Sequence, residues 1–313
     1  MQEGAHAKLA ELVARCSGGT PLATAVVHPC DVPSLEAAVR AAAAGLIAPV
    51  LVGPQARIRA TAAGARLDLG GLPVVDTPHS HASAECAVAL VREGRAAALM
   101  KGSLHTDELM GAVVDKATGL RTARRLSHVF VMDVPTYAKL LMITDAAVNI
   151  LPSLDTKADI VANAIDLALA LGVVRPKVAI LSAVETVTAK LPSTIEAAAL
   201  CKMAERGQIL GGVLDGPLAF DNAINREAAR TKGITSEVAG DADILVVPDL
   251  EAGNMLAKTL TFLGGADAGG VVMGARVPII LTSRADSLVA RLASCAIAGL
   301  DSAARLAKVA APA

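Results

Sequence analysis

KVAILSAVETVTAKLPSTIEAAALCKMAERGQILGGVLD, residues 177–215, is the stretch whose reading decides the fold. It opens on KVAILSA (177–183), a short unbroken apolar run of the kind found in strands buried on both faces. Ser193, followed three positions later by Glu196, is a capping-box pattern and predicts a helix that runs to Gly207. A second apolar run, ILGGVLD (209–215), comes next. Strand, helix and strand in succession make a βαβ unit with parallel strands.

The same alternation extends in both directions. Upstream, LATAVVH (22–28) reads as a strand, followed by Asp31-Val-Pro and an alanine-rich helix to about Ala48. PVLVG (49–53), PVVD (73–76) and AAALMKG (96–102) are further strands, with a helix over 80–95. A helix from Thr156 to Leu171 precedes Gly172. Downstream come DILVVPD (243–249), GVVMGA (270–275) and PIILTS (278–283), then a last helix from Ala285 that is expected to stop at Gly299. One segment departs from the pattern. SHVFVMDV and LLMITDAAVN, within 127–150, are extended runs joined by the turn-like PTYAK, and they read as an antiparallel hairpin. The expectation is therefore an α/β fold with parallel-rich sheets and a change of domain near the hairpin.

Composition narrows the function. Hydrophobic residues make up 53% of the 313, yet there is no Trp, one Tyr and three Phe. Ala, Val, Leu and Ile must do the packing, as suits helices laid closely on a parallel sheet. A formal net charge of −1 with mixed signs leaves no broad basic face for nucleic acid, and the dearth of aromatics argues against base stacking. The five cysteines are dispersed and form no C-x-x-C pair, which fits reduced thiols in a cytoplasm. The N-terminus has a helical polar/apolar pattern with Glu3 rather than an apolar signal core, and no apolar run is long enough to span a membrane. A soluble cytoplasmic protein is expected.

Ligands of open α/β sheets bind at the carboxyl ends of strands. The polar residues there are Lys101-Gly-Ser-Leu-His105, Ser182, Asp215-Gly216-Pro217, Asp249 with Gly253-Asn254, and Thr282-Ser283-Arg284-Ala-Asp286. Each group is also ordinary turn chemistry, so only convergence gives it weight. The sharpest of them is Ser283-Arg284, where strand gives way to helix. A hydroxyl and a guanidinium at a helix N-terminus suit a phosphate or a developing oxyanion. Asp286, in the expected first turn of that helix, is equally a helix-stabilising carboxylate. Dinucleotide, P-loop, nucleophile-elbow and zincin motifs are absent. His79-x-His81 has no cysteine or carboxylate support of metal-ligand type, so no metal is assigned.

Taken together, DGPLAFDNA (215–223), PDLEAGNMLAKTL (248–260) and LTSRADS (281–287) resemble the phosphate acetyl/butyryltransferase family, with further matches in KGSLHT (101–106) and ITDAAVNILP (143–152). The likeness runs from His28 to Ala298 and is strongest to butyryl-type members and to the acyltransferase domain of bifunctional enoyl-CoA hydratase/phosphate acetyltransferases. It implies two α/β domains of isocitrate/isopropylmalate dehydrogenase type with the cleft between domains. The first would comprise 1–130 plus 285–313. The second would be 131–284, with the hairpin and a homodimer contact.

The resemblance implies reversible transfer of a short acyl group, acetyl or butyryl, between CoA and inorganic phosphate by direct thiolate attack in a ternary complex. CoA, acyl-CoA, phosphate and acyl phosphate are the small-molecule partners, and no bound cofactor is needed. Ser283 would stabilise the tetrahedral intermediate, Arg284 would hold phosphate, and Asp286 is the candidate base. Lys101, His105, Arg124, Asp215, Gly216, Pro217 and Asn254 are the candidate substrate contacts. Helix capping is the rival role for Asn254, and a lysine snorkelling from a strand end is the rival role for Lys101.

Two departures stand out. Ala285 follows the Ser-Arg pair where acetyl-type members have glycine, and Asp286 comes early. Glu108-Leu-Met110-Gly111 also lacks the arginine that those members carry after the KGSLHT segment. Related domains fused to malic enzymes give a second reading, a non-catalytic acyl-CoA-binding regulatory protein. A dehydrogenase would need a cluster of metal-binding aspartates that the sequence does not show.

Overall fold

The computed structural model describes residues 6–282 and 286–310. In chain order the elements are α1 (Ala7–Cys16), β1 (Leu22–Val27), α2 (Val32–Ala43), β2 (Ile47–Gly53), α3 (Gln55–Ala65), β3 (Val74–Asp76), α4 (Ser80–Arg92), β4 (Ala98–Lys101) and α5 (Thr106–Val114). The hairpin strands β5 (Ser127–Asp133) and β6 (Leu141–Thr144) follow, then α6 (Leu154–Ala170), β7 (Lys177–Leu181), α7 (Pro192–Glu205) and β8 (Val213–Leu218). The remainder is α8 (Phe220–Ile224), α9 (Arg226–Thr231), β9 (Ile244–Val246), α10 (Leu250–Phe262), β10 (Asp267–Met273), β11 (Ile279–Ile280) and α11 (Leu288–Ala310).

The chain divides into two compact units. One comprises Ala10–Arg124 and Gly269–Ala313. Its strands lie in the order β3-β2-β1-β4-β11-β10. All but β10 run parallel, and β10 pairs antiparallel with β11. Val26, Val27, Leu51, Val52, Leu99, Met100, Ile279 and Ile280 are fully buried, which explains why these segments read as unbroken apolar runs. Burying each such side chain contributes about 1.5–3 kcal/mol. Both α2 and α4 begin where a polar side chain meets their open N–H groups. Asp31 accepts from Ser34 N at 3.0 Å to start α2, and His79 Nδ1 accepts from Ala82 N at 3.2 Å to start α4.

The other unit comprises Met1–Leu9 and Arg125–Ala268. Its strands are ordered β5-β6-β9-β7-β8. β5 and β6 form the antiparallel hairpin, and the rest are parallel. Met132, Ile143, Ala179, Leu218 and Leu245 pack with Leu256 and Leu260 of α10. Residues up to Leu9 belong here because Asp133, fully buried, accepts from Leu9 N at 3.0 Å and pairs with Lys8 Nζ at 2.9 Å. Lys8 also donates to the carbonyls of Val134 and Tyr137. These units differ from the sequence expectation at their edges. The division falls at Arg125 and Gly269 rather than at residues 131 and 285, and Lys8 and Leu9 join the middle of the chain.

Several local expectations are corrected. Ser193 and Glu196 do not form a capping box. α7 starts after Leu191, which makes no side-chain cap, while Ser193 Oγ meets Ser182 Oγ at 2.9 Å and Glu196 pairs with buried Lys157 of α6. Gly299 does not end the last helix, which continues to Ala310: beyond the glycine Asp301 and Ser302 are still buried, and Arg305 pairs with Asp301 at 2.6 Å and donates to Ala275 O at 2.9 Å. Gly172 and Gly207 do follow helix ends, each with a positive φ. β8 begins at Val213 and runs through Leu218, so Asp215, Gly216 and Pro217 lie inside a strand rather than in a turn beyond one. A proline fits there because β8 is the edge of its unit's sheet, where a missing N–H donor is tolerated.

Candidate active site

In the first unit, β1, β4 and β11 lie side by side and end almost level. Val27 pairs with Lys101, and Met100 pairs with Ile280. With strands about 4.8 Å apart, the three carboxyl ends fall within side-chain reach of one another. Lys101 closes β4, is buried, and donates to Gly102 O at 3.5 Å. Gly102 follows because nothing else fits. A Cβ there would sit 2.3 Å from Val27 O and 2.6 Å from His28 O. Thr282 is buried at the end of β11. Ser283 and Arg284 lie outside the described residues. Asp286 is half-buried and precedes α11, whose first turn is held instead by Ser287 Oγ, which accepts from Ala290 N at 3.1 Å. The backbone carbonyl of Asp286 accepts from Nε of Arg291, a buried arginine of α11.

His105 is exposed at the start of α5, and its N–H donates to Glu108 Oε2 at 2.9 Å. Glu108 Oε1 accepts from Ser80 Oγ at 2.9 Å and lies 3.2 Å from His81 Nδ1. The His105 N–H, then the Ser80 hydroxyl and the neighbouring histidines, hold the Glu108 carboxyl below the usual carboxylate range. Glu108 thus joins the N-termini of α4 and α5. Along these two helices runs a groove of about 610 Å³ lined by His81, Glu85, Arg92, Asp107, Glu108 and Asp115. Arg124 is exposed beyond α5, its N–H bonded to Thr122 Oγ1 at 3.1 Å.

A residue that no sequence motif marks lies in the middle of this edge. His28 follows β1, has φ +55°, and is 6% exposed. Its Nδ1 lies 3.1 Å from Ser83 Oγ, which also meets Thr77 Oγ1 at 2.8 Å and donates to His79 O at 2.9 Å. A serine has one proton. The arrangement that satisfies every group gives that proton to His79 O, so Thr77 and His28 Nδ1 both donate to Ser83. Burial, then the nearby Arg57, pushes the His28 pKa below its ordinary 6.5, which keeps the ring neutral. The available sequence signal was a histidine at a strand's carboxyl end, a weak one beside the Lys101 turn.

In the second unit, strand ends carry Asp145, Ser182 and Asp249, while Asp215 lies within β8. Asp145 is 3% exposed and accepts from the N–H groups of Ala147, Val148 and Asn149 and from Asn149 Nδ2. Asn254 is half-buried in α10 and donates to Ala146 O at 3.3 Å, so it ties α10 to the Asp145 loop. Capping of α10 falls to Asp249, which accepts from Ala252 N at 2.8 Å. Asp215 accepts from Gly216 N at 2.8 Å. Glu185, just past Ser182, binds Lys232 Nζ at 2.6 Å and Asn222 Nδ2, and the Lys232 contact draws its pKa down. Among the described residues, no group of three or more His, Cys, Asp or Glu side chains could hold a metal ion.

Polar and cationic groups gathered at the carboxyl ends of parallel strands define the class: an α/β enzyme scaffold for small anionic ligands. Comparison with known proteins gives the family. The model described as phosphate acetyl/butaryl transferase matches residues 80–299. The phosphate acetyltransferase of Rhizobium meliloti is 68% identical over 298 residues, covering 95% of this chain and 94% of its own length. The phosphate butyryltransferase of Clostridium acetobutylicum is 43% identical over 270 residues, covering 86% and 90%. The crystal structure of a branched-chain phosphotransacylase from Enterococcus faecalis superposes with TM-score 0.78 at 32% identity, over 90% of this chain and 99% of that one. The chain belongs to the phosphate acetyl/butyryl transferase family, and it is an acyltransferase.

Proposed function

We propose that the protein catalyses acyl-CoA + phosphate ⇌ acyl phosphate + CoA with a short acyl group, acetyl foremost. Family membership carries this reading, and the relative of higher identity is the acetyl one. The strand-end chemistry supports it. In the synthesis of acyl-CoA the thiol, with an ordinary pKa near about 8.5, must lose its proton before attack. The sulfur then bonds to the acyl carbon, the intermediate's oxygen carries negative charge, and the C–O bond to phosphate breaks. On this reading Asp286 takes the thiol proton, Ser283 donates to the oxyanion, and Arg284 holds the phosphate. Lys101 and His105 contact the charged parts of CoA or acyl phosphate, as does Arg124. Asp215, Gly216, Pro217 and Asn254 shape the substrate contacts of the other unit. No bound metal or cofactor takes part, so turnover is expected to survive chelator.

We further place the protein in the cytoplasm as a homodimer. Five free thiols support the first, as does the lack, among the described residues, of any helix long and apolar enough to cross a membrane. Ile150, Leu151, Met255, Phe262 and Leu263, exposed on the Arg125–Ala268 unit, support the second.

The test is release of CoA from acetyl-, propionyl- and butyryl-CoA with and without phosphate, for wild type and Ser283→Ala. Phosphate-dependent release is expected, with kcat about 100-fold or more lower in the variant, as for loss of an oxyanion donor. Acetyl and butyryl differ by two methylenes, each worth about 1–3 kcal/mol in an apolar pocket, so their release rates are expected to differ about 30-fold or more. CoA binding without phosphate-dependent turnover would overturn the enzyme and favour a binding protein.

A further inference from the structure

We propose that His28 is a positioning residue for the transfer reaction: its backbone carbonyl fixes the Lys101–His105 turn, and its ring holds that carbonyl in place. This rests on the reading above, in which Lys101 and His105 contact substrate.

Three donors converge on His28 O. They are Cys30 N at 2.8 Å, Ser103 N at 2.9 Å and Ser103 Oγ at 2.8 Å. Ser103 Oγ in turn accepts from Cys30 N at 3.2 Å. Gly102 N donates to Val27 O at 2.9 Å, and the two strand ends are so close that no Cβ fits at Gly102. The turn that carries Lys101 and His105 is therefore moulded on the carbonyl groups that end β1. Glu108 secures its far end through the His105 N–H.

The carbonyl reaches these donors only because His28 takes a left-handed conformation, φ +55°, which side-chain-bearing residues avoid. Such a conformation persists where the surroundings over-determine it, and here they do. The imidazole is sealed in place by Ser83, itself held by Thr77 and by the His79 carbonyl. Arg57, Asp31, Glu108 and His79 are the charged or titratable groups around the ring. A ring bonded through Nδ1 on one side and a backbone bonded through its carbonyl on the other make His28 the link between α4 and the β4–α5 turn.

The test uses the whole chain and steady-state kinetics in the direction of acyl-CoA synthesis, with acetyl phosphate and CoA varied separately. His28→Val opposes the left-handed backbone, whereas His28→Asn accepts it. His28→Val is expected to raise KM for at least one of the two substrates tenfold or more, with kcat within threefold of wild type. His28→Asn is expected to bring KM back to within threefold. Ser103→Ala removes one of the three donors and is expected to raise the same KM three- to tenfold. In the double variant, His28→Val with Ser103→Ala, no further rise is expected, because both act on one clamp. A folded His28→Val with KM within twofold of wild type overturns the proposal. So does loss of kcat alone in step with the folded fraction. Should His28→Val not fold, Ser103→Ala with an unchanged KM overturns it. Lys101→Ala separates the two levels: if it leaves both KM values unchanged while wild type turns over, the assignment of the turn to substrate fails, whatever His28 does.

Discussion

Asp145 shows how much one buried side chain can hold. Its carboxylate satisfies three successive backbone N–H groups and the Asn149 amide, and that amide also donates to Leu126 O. Asp145→Ala would strand those donors, at a cost of about 1–3 kcal/mol for each one left buried. We expect a loss of at least about 3 kcal/mol, read from urea unfolding. His28 gives a pH signature. Its folded pKa lies below the unfolded value, so the neutral ring's contribution is complete above about pH 6.5 and is lost as pH falls through the folded pKa. Thermal unfolding between pH 7.5 and 5 should show this slope in wild type, and a shallower one in His28→Asn. The Glu108 carboxylate, whose pKa is depressed, acts at lower pH with the same sign: its contribution fades as the carboxylate protonates. At this scale the sequence marked Lys101 and His105 but not what holds them. Ser103 lies in the same turn, but the His28 carbonyl it grips ends β1, Ser83 belongs to α4 and Glu108 to α5, and no local pattern links them.

At the scale of elements, the strands were the most legible feature. A strand buried on both faces must be apolar throughout, so β1, β4, β7 and β9 could be read as runs of Val, Leu and Ile. Helix ends were less so. Ser193 and Glu196 have the spacing of a capping box, yet each found a partner on a neighbouring element, and tertiary contact overrode the local motif. Gly299 looked like a stop, but a helix packed along its length tolerates a glycine at a cost of about 1 kcal/mol. Close approach of elements makes the sharper prediction. Gly102→Ala forces a Cβ onto two backbone carbonyls, neither of which can swing away as a side chain could. We expect loss of soluble protein or destabilisation beyond about 4 kcal/mol, the range reserved for backbone and core failures. Asp249→Ala, which removes only the cap of α10, should cost about 1 kcal/mol by the same unfolding assay.

For the molecule as a whole, the hydrophobic surface left on the Arg125–Ala268 unit bears on assembly. For the homodimer proposed above, Leu151→Lys with Phe262→Lys should shift the sedimentation coefficient to that of a monomer without unfolding the chain, and retention of the wild-type value would remove that face from the proposed interface. The sequence by itself determined the α/β class, the sense of most strand pairings and the family, because burial on a parallel sheet and the order of short polar motifs are both written along one chain. Only the tertiary structure decided that Lys8 and Leu9 belong with the middle of the chain, that Asp215-Gly216-Pro217 lies within an edge strand, and that His28 stands behind the Lys101 turn. Each of these depends on contacts between residues far apart in sequence: a half-buried lysine on buried Asp133, a sheet edge that spares a proline its missing N–H, and a carbonyl shared by two strand ends. Local propensity carries no record of such pairings, since their energy exists only once the chain has closed on itself.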